Sequence, residues 1–199
     1  MADSASAHVD SADILNIRLA DVTDAEDCLN LQNACLPEKY PLETWMSIIS
    51  QRCTFLAEVE GKVIGYISGG FLRDVTPETE PYHIVDSKGV KTEYICVVIS
   101  FGVSKEYRGK GAGTMLMSEL RIRFTGMKHI LLHCLVGNPA KHLYDRVGFQ
   151  EVALLQKYYE NGDDAHLMVL GPLAPLAPSA LPAPQEVPSQ EKVVSRETE

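Results

Sequence analysis

Phe101, Gly102, Val103, Ser104, Lys105, Glu106, Tyr107, Arg108, Gly109, Lys110, Gly111, Ala112, Gly113 and Thr114 form the segment best suited to chemistry. A strand-like apolar run leads into three glycines and then into an amphipathic helix. The helix carries Leu116, Leu120 and Phe124 at i, i+4 and i+8, with Met117 alongside. Glycines let backbone N–H groups crowd around an anion, and a helix N-terminus adds about half a positive charge directed at it. Capture of a phosphate group is the chemistry indicated, with Lys105, Arg108 and Lys110 as a local basic patch. The glycines do not keep the Gly-x-Gly-x-x-Gly spacing of a dinucleotide loop, and no Gly-Lys-Ser/Thr closes a Walker loop.

The surrounding pattern must place this loop. Residues 15–20 read as a first strand, and Thr23 with Glu26 as a capping box opening a helix over 24–35. Leu42, Trp45, Met46 and Ile49 predict a second helix. Residues 54–60 and 62–69 read as a hairpin about Gly61, and a long polar connection over 72–93 precedes a strand at 94–103. Residues 130–135 are an apolar run interrupted by His133, as in a strand covered on both faces. Asn138 can cap a helix with Pro139 at its first position, a stripe of Ala140, Leu143, Tyr144 and Val147, and Gly148 as a left-handed stop. Residues 151–159 and 165–170 flank Asn161 and Gly162 as a final hairpin. The order is that of a mixed α/β sheet.

With 199 residues, 45% of them hydrophobic, the chain suits one domain, expected at 14–170. Flexible tails are expected at 1–13, which is small and polar, and at 171–199, which holds Pro172, Pro175, Pro178, Pro182, Pro184 and Pro188. No apolar stretch approaches the roughly 18 residues of a membrane span, so a soluble protein without a membrane partner is expected. The five cysteines are odd in number, and none lies in a C-x-x-C pair, so neither a disulfide framework nor a metal site is indicated. A formal charge of −9 argues against nucleic acid as a direct partner.

Arg108, Gly111 and Gly113 fill the pattern Arg-x-x-Gly-x-Gly, and here the chain resembles the GNAT superfamily, whose pyrophosphate loop reads Gln/Arg-x-x-Gly-x-Gly/Ala. That superfamily follows the loop with a strand, an Asn-capped helix bearing a tyrosine, and Gly-Phe. Leu132 to Leu135, Asn138, Tyr144, Gly148 and Phe149 stand here in that order. Two further stretches, Leu36, Pro37, Glu38, Lys39, Tyr40, Pro41 and the run from Lys157 through Tyr158, Tyr159, Gly162, Asp163 and Asp164 to Ala165, resemble the protein N-terminal acetyltransferases, in particular the NatA catalytic subunit and its archaeal relatives.

The resemblance implies a GNAT fold, a mixed and mostly antiparallel central sheet flanked by about four helices. It implies acetyl-CoA as co-substrate without a metal. Phe101, Gly102, Val103, Arg108, Gly109, Lys110, Gly111, Ala112, Gly113, Thr114, Asn138 and Tyr144 would bind it, with Tyr144 also protonating the departing thiolate. Leu36, Pro37, Glu38, Tyr40, Tyr158 and Tyr159 would meet the peptide. Protein N-termini are the implied substrates, those with small first residues (Ser, Ala, Gly, Thr) above all. An auxiliary subunit and the ribosome are the partners known for the NatA catalytic subunit. The cytoplasm is the expected location, with the nucleus as a second compartment.

One position departs from the pattern. Where these enzymes often carry a His or Tyr that helps take the amine proton, this chain has Val97. Glu38 and His133 are the alternatives, and His133 equally suits a hydrogen-bonded core position. An α-amine of pKa about 7.7 to 8.0 is already roughly one-tenth neutral at pH 7, so it needs little help, whereas a lysine at about 10.4 needs much more. Action on Met-starting termini, on lysine or on a small amine remains an alternative, as does a catalytically silent CoA-binding or scaffold module.

Overall fold

In the computed structural model the residues described are 15–36, 39–73, 76–84, 88–89, 91 and 94–171. The expected tails, apart from Gly171, and Pro37 and Glu38 lie outside them. Among the described residues seven strands run β1 (Leu15–Leu19), β2 (Thr54–Val59), β3 (Lys62–Leu72), β4 (Ile95–Val103), β5 (Ile130–Leu135), β6 (Gln150–Leu155) and β7 (Ala165–Leu170). The α-helices among the described residues are α1 (Ala25–Cys35), α2 (Leu42–Ser50), α3 (Ala112–Arg123) and α4 (Lys141–Val147). The sheet order is β1-β2-β3-β4-β5-β7-β6. Of the pairings with assigned register, only β4 with β5 is parallel, at Val97 opposite Leu131, and the others are antiparallel. This is the mixed, mostly antiparallel sheet with four helices that the resemblance implies.

The chain divides into two compact units. The first takes residues up to Gly69 together with Ser100–Arg123, and the second takes Gly70–Ile99 together with the chain from Phe124 onward.

In the first unit β1 to β3 form a meander, and α3 packs on β1 and β2. The stripe read from the sequence is the one buried: Leu116, Met117 and Leu120 are wholly enclosed. At the β2–β3 turn both Glu60 and Gly61 take positive φ, which matches the right-handed twist of a two-residue hairpin. Two local expectations are corrected here. The capping box is formed by Asp21 and Asp24 rather than by Thr23 and Glu26, around a short 3-10 turn ahead of α1. The cause is tertiary: Arg18 grips both carboxylate oxygens of Asp24 at 2.7 and 2.8 Å and donates from Nε to Glu58 at 2.8 Å. This bidentate fork holds the Asp24 carboxyl below the usual carboxylate range and fixes where the helix begins. On α2 the buried positions are Trp45, Ile48 and Ile49, while Met46 is exposed.

In the second unit Tyr82, Ile95, Leu131, Leu167 and Val169 form a core cluster, with Val152, Ala153 and Leu155 packed against it. β7 lies between β5 and β6 and pairs with both. A third correction falls here: β6 ends at Leu155, so Tyr158 and Tyr159 stand in the connection to β7 rather than on a strand.

Candidate active site and its two sets of residues

In the first unit the site begins where β4 ends. Gly102 is buried, and a Cβ built on it would lie 3.0 Å from the Tyr66 ring, so glycine is what lets that ring close over the strand. Gly65 of β3 likewise has the Gly102 carbonyl oxygen 3.1 Å from where its Cβ would be. Tyr66 is fully buried, and its hydroxyl shares a 2.9 Å hydrogen bond with that of Ser100.

After β4 the chain makes a 3-10 turn over Lys105–Tyr107, and Arg108 Nε donates to the Val103 carbonyl at 2.9 Å. This bond ties the loop back to the strand. Gly109 and Gly111 both take the left-handed conformation, at φ +77° and +94°, and among the described residues nothing lies within 4 Å of a Cβ on either. That is open room, of the kind a phosphate needs for close backbone approach. Met115 N–H donates to Gly111 O at 3.1 Å, so α3 starts there, and the N–H groups of Ala112, Gly113 and Thr114 have no acceptor within the helix. Lys110 Nζ sits 5.1 Å from the centre of the Tyr107 ring. A glycine-lined anion cradle at the mouth of a 12-residue helix therefore fits a pyrophosphate.

The segment joining α1 to α2 is anchored by a residue that the sequence reading passed over. Gln32 is fully buried on α1, and its Oε1 accepts from Trp45 Nε1 at 2.7 Å and from Tyr40 N–H at 3.1 Å. Trp45 in turn makes edge contacts with Tyr40 at 6.3 Å and Tyr66 at 5.0 Å. The available signal was its spacing, a glutamine four residues after Cys28 and three before Cys35, on the helix face that Ala25, Cys28 and Leu31 bury. Leu36 and Tyr40 are half-buried.

In the second unit Asn138 Oδ1 accepts from Ala140 N–H at 2.9 Å, ordering the turn that leads into α4. The helix stops at Gly148, φ +99°, as expected from its sequence. Tyr144 is 8% exposed and meets Phe149 edge-on at 6.0 Å. Val97 is buried in β4 opposite Leu131 and offers no proton acceptor. His133 on β5 stacks on Tyr158, ring centres 4.4 Å apart and 17° from parallel, and Tyr159 meets Tyr158 edge-on at 5.1 Å.

Burial pushes the His133 imidazole down to about 4, which leaves it neutral at physiological pH and a poor base toward an ammonium group. Because the folded value lies below the unfolded one, about 6.5, the stability contributed is full above pH 6.5 and is lost as pH falls toward 4. Chemical denaturation at pH 7.5 and 4.5 is expected to show a loss in the wild type exceeding that in His133→Phe by about 2 kcal/mol. Equal losses in both proteins would mean that the ring is not desolvated.

The profile of the acetyltransferase (GNAT) family matches residues 23–149. Among curated proteins, the N-alpha-acetyltransferase of Sulfurisphaera tokodaii is 32% identical over 164 residues, covering 76% of this chain and 90% of its own. The N-terminal acetyltransferase A complex catalytic subunit ard1 of Schizosaccharomyces pombe is 30% identical, covering 78% and 83%. A solved structure of Arabidopsis thaliana NAA60 in complex with acetyl-CoA superposes with a TM-score of 0.68 at 20% identity, over 79% of this chain and 99% of that one, and shares the fold. The chain belongs to the acetyltransferase (GNAT) family and is an acetyl-CoA-dependent N-acetyltransferase.

Proposed function

We propose that this enzyme acetylates the α-amine of protein N-termini and prefers small first residues, Ser, Ala, Gly and Thr. The observation that carries the reading is the shared sequence with two proteins named for α-amine acetylation, which extends over three-quarters of the chain. The stacked His133 and Tyr158, with Tyr159 edge-on to Tyr158, support it, since half-buried rings suit an extended peptide backbone.

In this reading the cradle at residues 108–114 holds the pyrophosphate. The neutral amine attacks the thioester carbonyl, which the Gly102 and Val103 N–H groups polarise. The amine proton leaves to water or to Glu38, the C–S bond breaks, and Tyr144 supplies a proton to the thiolate. The products are an N-acetyl terminus and free CoA. A neutral His133 of low basicity serves as a ring platform rather than as the base. An auxiliary subunit, the ribosome and a cytoplasmic location, with the nucleus as a second compartment, belong to the same proposal, since nascent N-termini emerge at ribosomes.

Selectivity is assigned to Glu38 from the resemblance. A carboxylate beside the first side chain deprives a bulky apolar residue of a dry pocket, while a small residue leaves room for water around the charge. Across peptides that differ only in the first two residues, Ser and Ala peptides are expected to exceed Met-Leu by about tenfold or more in kcat/KM. Glu38→Val should shift that preference toward Met. A wild-type preference for Met-Leu would place the enzyme with the methionine-selective members instead.

A further inference from the structure

The connection between β6 and β7 is held in its shape by a residue with no assigned part in the reaction. Lys157 lies at φ +51°, in the left-handed region that a lysine seldom adopts. It stands next to Tyr158, two residues after β6 ends. The Asp164 carboxylate accepts the Lys157 N–H at 2.8 Å. The same residue's backbone carbonyl accepts from Val136 N–H at 3.0 Å, which ties it to the residue that follows β5. A second clamp closes the tip: Tyr159 N–H donates to Asp163 O at 3.1 Å, and Asn161 and Asp163 bond each other through side chains at 2.8 Å.

The reversal at Lys157 takes the chain out of strand geometry. Continued alternation would have sent Tyr158 and Tyr159 to opposite faces of the sheet. As it is, Tyr158 lies flat on His133 and Tyr159 stands edge-on to Tyr158. A charge-assisted bond to a backbone N–H is strong enough to select an uncommon backbone conformation.

We propose that Asp164 is a positioning residue for peptide recognition: by holding Lys157 in the left-handed conformation it sets Tyr158 on His133 and so presets the surface that receives the substrate backbone. This rests on the reading of Tyr158 and Tyr159 as peptide contacts. It extends that reading by naming the residue that makes the arrangement rigid before substrate arrives, which lowers the ordering cost of binding.

The test uses the full chain with Asp164→Ala, Asp164→Asn and the double variant Asp164→Ala/Lys157→Gly. An aromatic ring stacked on an imidazole shifts the imidazole ring protons upfield in the NMR spectrum, and comparison with His133→Phe assigns those signals. Asp164→Ala should lose the upfield shift and raise peptide KM by about tenfold, while the acetyl-CoA dissociation constant stays within about twofold. Asp164→Asn keeps an acceptor oxygen and should preserve both shift and KM. Glycine at 157 adopts positive φ without the carboxylate, so the double variant should recover much of each.

If Asp164→Ala does not fold, Lys157→Ile at an exposed position removes the left-handed conformation by another route and should give the same two losses. An upfield shift retained in Asp164→Ala overturns the proposal. So does a lost shift with unchanged peptide KM, since the tyrosines would then be held in place for something other than peptide. A wild-type enzyme that acetylates no peptide overturns the functional reading instead, and the ring shift in the same samples separates the two failures.

Discussion

Gly111→Val is expected to weaken acetyl-CoA binding by about a hundredfold or more. Gly111 sits at φ +94°, where a β-branched residue is strained at a cost of about 1–3 kcal/mol, so the loop would turn away from its present path. Whatever conformation it kept, the valine methyls would project into the open space that a phosphate needs, because the described residues place nothing within 4 Å of that Cβ. Each charge-assisted hydrogen bond from a backbone N–H to phosphate that is lost adds to the deficit, and about 2.7 kcal/mol in all corresponds to a factor of a hundred. The helix should survive, since Leu116, Met117 and Leu120 anchor it along its buried face. Calorimetric titration with acetyl-CoA, alongside a circular dichroism spectrum, checks both statements. Unchanged affinity would remove the phosphate reading of the loop.

Tyr144→Phe should lower kcat by about a hundredfold with little change in either KM. The substitution deletes only the hydroxyl. The ring stays buried, its edge contact with Phe149 persists, and α4 keeps its Gly148 stop, so thermal stability should move little. The thiolate of CoA would then leave without a positioned proton donor, which affects the transition state and not ground-state binding. Steady-state kinetics with a saturating Ser- or Ala-initial peptide measure it. A kcat equal to that of the wild type would assign Tyr144 to packing alone.

Local rules made much of this protein legible from its sequence. The stripe of Leu116, Met117 and Leu120, the apolar run at Ile130–Leu135, the turn at Gly61 and the stop at Gly148 all fell where periodicity and backbone sterics place them. The left-handed turns at Gly109 and Gly111 were legible for the same reason, because positive φ at closely spaced glycines is a local property. Interactions at long sequence separation were not legible. Arg18 reaches forty residues along the chain to Glu58 while gripping Asp24, and so moves the capping box away from Thr23. Gln32 is polar yet wholly enclosed because Trp45 and Tyr40 both need its oxygen. The strand expected to run through Tyr159 stops at Leu155, since the Asp164 carboxylate, seven residues beyond Lys157, rewards a backbone conformation that Lys157 alone would avoid. Propensity and periodicity act over a few residues and are written in the chain. A buried acceptor or a paired carboxylate overrides them only once folding has brought its partner within about 3 Å, and so the resting place of Tyr158 on His133 belongs to the tertiary structure.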